Sequence, residues 1–305
     1  MRVLVTGGTG FIGGPLLKLL SSETDIEAVV LARRPGKDHG NIRYIEADLS
    51  ESRSVEAFAS SAGSFDVLVH LMALIPTVGA ADPGPHEYVR QNIGATVNLI
   101  ACLGGRVKRV VYGSTLDVYG PVTALPVTEA HQTEPLTCYG ATKLAAEKLL
   151  AVFCRERGIP LSILRFSQVY GPGEPVIKAI PAFISAVVDG RPPVVFGDGS
   201  DLRDYVYVDD AAAAVMSAVK GDASGGVFNI SGGRPVSLLE VLETIITAGK
   251  TSLRPVFENR RKDRIDMHFD ISRAKDILGW SPQVSLADGI EREVRYFESL
   301  RDGSR

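Results

Sequence analysis

Apolar residues in the first half of the chain fall in short unbroken runs rather than in an alternating pattern. Residues 2–6, 26–31, 42–45, 67–71 and 107–112 are such runs, rich in valine, leucine and isoleucine and separated by polar or glycine-containing stretches. Unbroken runs of this length predict strands buried on both faces, the condition of a parallel sheet covered by helices. Residues 11–20 carry apolar side chains at helical spacing directly after the first run. Alternation of strand and helix with right-handed crossovers predicts a Rossmann-type doubly wound parallel sheet, an α/β domain over residues 1–170.

Past Tyr170 the texture changes. Gly171-Pro172-Gly173-Glu174-Pro175 and Gly190-Arg191-Pro192-Pro193 bracket one helix, and a short strand at 194–196 runs into Gly197-Asp198-Gly199. Helices are predicted at 209–219, 237–248 and 286–300, the second with Ser237 as N-cap and Glu240 at the capping-box position. A smaller α/β substrate lobe is expected over 171–202 and 231–305, with 203–230 returning to the first domain.

Composition narrows the class without deciding it. The chain has 305 residues, 45% hydrophobic and 23% charged, with mean hydropathy +0.11, which excludes disorder as a description of the whole. Lys and Arg number 33 against 36 Asp and Glu, a net charge of −3, and no basic cluster offers a nucleic-acid footprint. No apolar run approaches the roughly 20 residues of a membrane helix, and the first run breaks at Gly7, too early for a secretory leader. Cys102, Cys138 and Cys154 stand far apart without a CxxC pair, the usage of a reduced cytoplasmic protein. His39, His86, His131 and His268 have no ligand spacing, so no metal is expected.

Gly7, Gly10 and Gly13 form a GxxGxxG pattern between the first strand and the first helix. In this position they allow a tight turn, close approach of backbone to a pyrophosphate, and close packing of helix on strand. A bare glycine triplet serves equally as an ordinary strand-to-helix turn; its place at the first βαβ unit favours a dinucleotide. Near the end of the second strand, where a carboxylate would hold the ribose of NAD, the chain has Leu31-Ala32-Arg33-Arg34. Arg33 suits a 2′-phosphate, so NADP is favoured over NAD, the alternative being two solvated arginines. Asp48 and Leu49 are candidate adenine contacts, although an Asp at a strand end also serves as a helix cap.

Tyr139 and Lys143 stand four residues apart at the start of a predicted helix, on one face. A lysine ammonium draws a phenol of pKa about 10 toward phenolate, which makes the pair an acid/base device. Upstream, Ser114-Thr115-Leu116-Asp117-Val118-Tyr119-Gly120 lies past the fifth strand, at the carboxyl edge where a substrate hydroxyl would be met.

With these motifs the chain resembles the extended short-chain dehydrogenase/reductase family, in its nucleotide-sugar epimerase/dehydratase branch. The resemblance also rests on Val69-His70-Leu71, Asn92-Ile93-Gly94-Ala95-Thr96, Leu164-Arg165, Val169-Tyr170-Gly171-Pro172-Gly173, Phe196-Gly197-Asp198-Gly199, Arg203 to Asp210, and Asp270 to Lys275. It implies a catalytic triad of Thr115, Tyr139 and Lys143. Tyr139 would exchange the proton of a sugar C4 hydroxyl, Thr115 would hydrogen-bond the same oxygen, and Lys143 would hold the nicotinamide ribose and lower the tyrosine pKa. Phe11, Ile12, Leu71, Met72 and Ala73 would line the NAD(P) site. Gln168, where the family usually has Asn, together with Arg203 and Arg260 would meet the nucleoside-diphosphate sugar, the guanidinium forks suiting its phosphates. Arg203 could instead pair with Asp201 or Asp204, and Arg261 or Lys262 could replace Arg260.

The departures are informative. Family 4,6-dehydratases show Thr-Asp-Glu where this chain has Thr115-Leu116-Asp117, and leucine cannot move a proton. Met72 replaces a small residue, and His70 reads as structural. The resemblance therefore implies a C4 epimerase of a nucleoside-diphosphate hexose working through a 4-keto intermediate. An NADPH-dependent 4-ketoreductase of a 4-keto-deoxysugar is the alternative, and an inactive dinucleotide-binding regulator is disfavoured by the intact Tyr139 and Lys143. A homodimer is implied through helices at 87–103 and 139–155, where Leu144, Leu149, Val152 and Phe153 are suitably spaced, though equally so for packing on the sheet.

Overall fold

The computed structural model describes residues 1–76, 81–122, 124–175, 178–221, 225–260 and 263–303. Strands β1 (Arg2–Thr6), β2 (Glu27–Ala32), β3 (Ile42–Glu46), β4 (Val67–His70), β5 (Val110–Thr115) and β6 (Leu161–Phe166) alternate with helices α1 (Gly13–Ser21), α2 (Ser52–Ser61), α3 (Pro85–Tyr88), α4 (Ala95–Leu103) and α5 (Cys138–Arg157). Short strands β7 (Gln168–Tyr170), β8 (Val194–Phe196), β9 (Leu202–Arg203) and β10 (Tyr205–Tyr207) follow, with α6 (Ala179–Val188) after β7 and α7 (Val208–Lys220) after β10. The remaining elements are β11 (Gly226–Ile230), β12 (Val236–Ser237), α8 (Leu238–Ala248), β13 (Val256–Glu258), α9 (Ser272–Leu278) and α10 (Leu286–Gly303).

Seven parallel strands in the order β11-β6-β5-β4-β1-β2-β3 form the central sheet. The expected doubly wound sheet is present, and its order reverses between β1 and β4, the position where such sheets open a ligand crevice. Successive residues explain the unbroken apolar runs: Val3 and Val5 enter a core with α1 and α7, while Leu4 enters another with α2, α4 and α5. The starts of α1 and β5 differ from expectation. Helix α1 begins at Gly13 rather than residue 11, because Gly10 N donates to Gly7 O at 3.0 Å and keeps the chain in a turn. Val107 makes only a bridge to Phe65, so β5 starts at Val110.

A separate apolar core lies among α6, α8 and α10, built on Tyr170, Phe183, Ile184, Leu242, Ile245 and Ile290, and Phe11 packs against it. Ser237 caps α8 by accepting from Glu240 N at 3.0 Å. Only half of the expected capping box forms, since the Glu240 carboxylate accepts from Arg234 at 2.6 Å instead.

Helix α5 is the longest, starting where Thr137 Oγ1 accepts from Gly140 N at 3.0 Å and ending at Gly158, whose φ of 63° suits the left-handed C-cap. Its four spaced apolar residues divide among three surroundings. Leu149 and Val152 are exposed, Phe153 is in the core, and Leu144 packs beside Leu116 and Tyr119. The helix also buries a charge: Glu147 accepts from Arg165 Nε at 3.0 Å and Nη2 at 2.7 Å, and from Ser114 Oγ at 2.5 Å. Glu147→Ala leaves a buried guanidinium unpaired and is expected to cost about 3–5 kcal/mol in urea unfolding. Glu147→Gln, which keeps hydrogen-bonding atoms, should cost less; equal losses would show that loss of the charge accounts for the whole cost and that the retained hydrogen-bonding atoms contribute nothing.

Candidate active site

The turn before α1 has the geometry of an anion cradle. Gly7 has φ 74°, and a Cβ there would stand 2.6 Å from Met72 N; a Cβ on Gly13 would stand 2.1 Å from Gly7 O. No side chain caps the start of α1 and no acid occupies its first turn, so its amides and positive dipole end are left for an anion. These features fit the pyrophosphate of a dinucleotide. Phe11 and Ile12 are half-buried beside the turn, and so are Leu71, Met72 and Ala73 at the end of β4.

Arg33 and Arg34 are exposed at the end of β2, and among the described residues neither has a hydrogen bond or ion pair. Asp48 accepts from the backbone N–H and hydroxyl of Ser50 at 2.9 and 2.8 Å. Burial pushes its pKa up, but the Ser50 bonds, helped by Arg33 and Arg90, prevail and hold it low. Leu49 is 4% exposed in the core, and its carbonyl accepts from Asn98 Nδ2 at 2.9 Å.

A polar chain fixes the end of β4. Thr96 Oγ1 donates to Asn92 O at 2.7 Å and therefore accepts from His70 Nε2 at 2.9 Å. His70 Nδ1 in turn accepts from Thr6 Oγ1 at 2.6 Å. Burial, with Lys143 nearby, brings the His70 pKa to about 3, so the ring is neutral and structural, as expected. Asn92 extends the chain: it accepts from Leu74 N at 2.7 Å and donates to Leu74 O and to Thr142 Oγ1, both at 3.1 Å. Thr142 Oγ1 donates to Tyr139 O at 2.9 Å. Asn92 thus ties the strand end to the first turn of α5, from a π-helical stretch, Val89–Gly94, whose wider turn is common at functional sites. The motif Asn92-Ile93-Gly94-Ala95-Thr96 carries no local sign of this role, because both partners of the Asn92 side chain are distant along the chain.

Thr115, at the end of β5, accepts from Asp117 N at 3.2 Å, which leaves its own proton for Tyr139. Burial and then Asp117 raise the Tyr139 pKa, and the hydrogen bond with Thr115 acts against them. Lys143 is 2% exposed and its Nζ lies 4.2 Å from the centre of the Tyr112 ring. Desolvation lowers its pKa to about 7 against the pull of Glu147. The geometry therefore differs from the expected lysine-lowered phenol: in the protein alone, depth dominates both groups and favours the neutral form of each.

In the lobe, Arg203 and Arg260 converge on Asp201. Arg203 Nη1 donates to Leu202 O at 2.9 Å and to Ile265 O, with Nη2 3.6 Å from Asp201. Arg260 reaches Asp201 at 2.6 Å and Asp198 at 2.8 Å. Its guanidinium lies over Gly197, where a Cβ would stand 3.0 Å from Cζ. Arg261 and Lys262 lie outside the described residues. Gln168 is half-buried on β7, opposite Tyr205 of β10.

The displaced lysine pKa has a thermodynamic signature in the ligand-free protein. Between pH 7 and 10.5 the unfolded lysine keeps a proton that the folded one has released, so stability rises with pH across that window. The unfolding free energy of the native chain relative to Lys143→Met should therefore increase by on the order of 1 kcal/mol per pH unit. A pH-independent difference would mean that the ammonium is solvated.

The model of the NAD dependent epimerase/dehydratase family matches residues 3–231. The chain is 33% identical to a UDP-glucose 4-epimerase of Mycolicibacterium smegmatis, over 98% of this chain and 99% of that protein. It is 30% identical to a dTDP-glucose 4,6-dehydratase of Streptomyces niveus, over 99% and 94%. The crystal structure of a UDP-glucuronic acid 4-epimerase from Bacillus cereus, in complex with UDP-glucuronic acid and NAD, aligns with a TM-score of 0.86 at 28% identity, over 98% of this chain and all of that one. With its doubly wound sheet, glycine cradle and Tyr139/Lys143 helix, the chain belongs to the NAD-dependent epimerase/dehydratase family.

Proposed function

We propose that the protein is an NAD(P)-dependent epimerase that inverts C4 of a nucleoside-diphosphate hexose through a 4-keto intermediate. The reading is carried by Tyr139, beside Thr115 and one helical turn before the buried Lys143, at the carboxyl edge of the sheet. Bound NAD(P) would supply the acceptor for the C4 hydride and the donor that returns it. Tyr139 Oη takes the proton of the C4 hydroxyl and later gives one back, while Thr115 Oγ1 hydrogen-bonds the same oxygen. Burial favours the protonated phenol, so Tyr139 acts as a base only with a cation beside it, which Lys143 provides. Leu116 offers no acid for elimination of water, which disfavours 4,6-dehydration.

Anchorage of the substrate falls to the lobe. Arg203 and Arg260, held near one another by Asp201, meet the diphosphate, and Gln168 meets the sugar. Gly7, Gly10 and Gly13 receive the cofactor pyrophosphate, with Asp48 and the backbone at Leu49 toward the adenine. Arg33, exposed at the end of β2, gives NADP an advantage over NAD through the 2′-phosphate. The same residue favours a second reading, an NADPH-dependent ketoreductase of a 4-keto-deoxysugar. Exposed Val89, Val97, Leu149 and Val152 support a homodimer through the Val89–Gly94 stretch, α4 and α5. Three free cysteines suit the cytoplasm, and among the described residues no helix is long and apolar enough to cross a membrane.

Interconversion of a nucleoside-diphosphate hexose with its C4 epimer, without net consumption of cofactor, is the expected result. Stoichiometric oxidation of NADPH with a 4-keto sugar would instead establish the reductase. Tyr139→Phe should lower kcat by roughly 10²–10⁴-fold while cofactor affinity, measured by fluorescence titration, stays within a few-fold; unchanged turnover would remove Tyr139 from the reaction. Arg33→Ala should weaken NADP at least tenfold more than NAD, and equal weakening would refute the 2′-phosphate contact.

A further inference from the structure

The turn after β5 carries a carboxylate that the reaction described above leaves unused. Asp117 lies in the 3-10 turn Leu116–Val118, and its amide donates to Thr115 Oγ1 at 3.2 Å. Its carbonyl packs against the first turn of α5, so that a Cβ on Gly140, the residue after Tyr139, would stand 2.7 Å from the carbonyl oxygen. The backbone of Asp117 is thereby fixed beside both groups that meet the substrate C4 oxygen. Leu116 and Val118 turn into a small apolar cluster, while Asp117 is exposed. Among the described residues its carboxylate has no hydrogen bond or ion pair of its own.

The surrounding charge does not cancel. Partial burial raises the Asp117 pKa, and Lys178, just before α6, is the cation that acts against it, but the Lys178 Nζ also lies 3.4 Å from Glu174 Oε1, and the Glu174 side chain is 4% exposed. Two carboxylates share one ammonium. Elsewhere around the site, Lys143 is only partly charged at neutral pH, and Arg165 is committed to Glu147.

Epimerisation makes this charge consequential. To receive the hydride on its other face, the 4-keto ring turns over about its C1–C4 direction, and this exchanges the positions of its C3 and C5 edges. A fixed group beside C4 meets the C3 hydroxyl in one orientation and the C6 substituent in the other. Both are hydrogen-bond donors in a neutral hexose, whereas in a hexuronate the C6 carboxylate confronts Asp117 in one of the two orientations. We infer that Asp117 is a specificity-determining residue that accepts hydroxyl hydrogen bonds from neutral hexoses and excludes hexuronates. The inference rests on the proposed C4 epimerisation and names the substrate class for it.

The test compares UDP-glucose with UDP-glucuronate on the cofactor-loaded enzyme, by kcat/KM for 4-epimerisation and separately by equilibrium affinity. The native chain should favour UDP-glucose at least a hundredfold in kcat/KM and at least tenfold in affinity. Asp117→Asn should reduce the discrimination at least tenfold by both measures, whereas Asp117→Glu, which keeps the charge, should retain most of it. Equal use of the two sugars by the native chain, or the same discrimination in the Asn variant, would overturn the assignment. If neither sugar is epimerised, the proposed reaction fails, while the affinity ratios of the three proteins still decide the role of Asp117.

Discussion

The buried pairing of Glu147 with Arg165 is the contact on which the site depends. Both side chains are almost wholly removed from water, where a matched pair contributes little net stability but an unmatched charge is costly. That asymmetry fixes the rotation of α5 more firmly than apolar packing would, since Leu, Phe and Ala contacts tolerate small shifts. Tyr139, Lys143 and Glu147 are spaced four apart and share one stripe of the helix. Turning Glu147 toward Arg165 therefore also turns Lys143 into the protein and Tyr139 toward Thr115. The first turn is held from the other side by Asn92 through Thr142. Placement of Tyr139 and Lys143 thus follows from two anchors, Glu147 with Arg165 and Asn92 with Thr142.

The cofactor turn is joined to the rest of the site by contacts of a different kind. Gly7 allows the loop after β4 to approach within a distance no side chain would permit. The Thr6–His70–Thr96 chain then fixes that loop from behind, with the Met72 amide donating to Thr6 Oγ1 at 3.4 Å. Phe11, in the same turn, packs on the core of the lobe beside Tyr170 and Tyr207. The glycine turn and the α6–α8–α10 core consequently meet through apolar packing.

Much of this was legible in the sequence because its causes are local. Unbroken apolar runs, the glycine turn and the Ser237 cap each reflect the requirements of a few neighbouring residues, and all have structural counterparts. What was not legible depends on partners distant along the chain. Nothing local distinguishes Glu147 from an ordinary exposed helix acid until β6 brings Arg165 against it. The role of Asn92 depends on Leu74 and Thr142 arriving from opposite sides. Asp117 was read only as the neighbour of a leucine that replaces an acid, because its exposure follows from the turn at 116–118. Arg203 and Arg260 were recognised as candidate phosphate ligands, but their common attachment to Asp201 is a property of the folded lobe.

Depth gives Tyr139 and Lys143 opposite displacements from one cause. Removing water penalises charge, so the phenol keeps its proton more tightly and the ammonium releases its proton more readily. The phenolate–ammonium pair and the phenol–amine pair hold the same number of protons and the same net charge. Choice between them is therefore decided by how well the two charges stabilise each other, which strengthens as the surrounding dielectric falls. Burial that disfavours either ion alone thus makes their pairing the condition for reactivity. Asp117 enters the same balance, because a carboxylate beside Tyr139 resists phenolate formation. Hydroxyls donating to that carboxylate draw its charge away from the phenol, so a sugar that satisfies Asp117 also favours the base that would act on it. Under the proposed reaction, ground-state recognition of the hexose and activation of Tyr139 would then be two effects of one hydrogen bond.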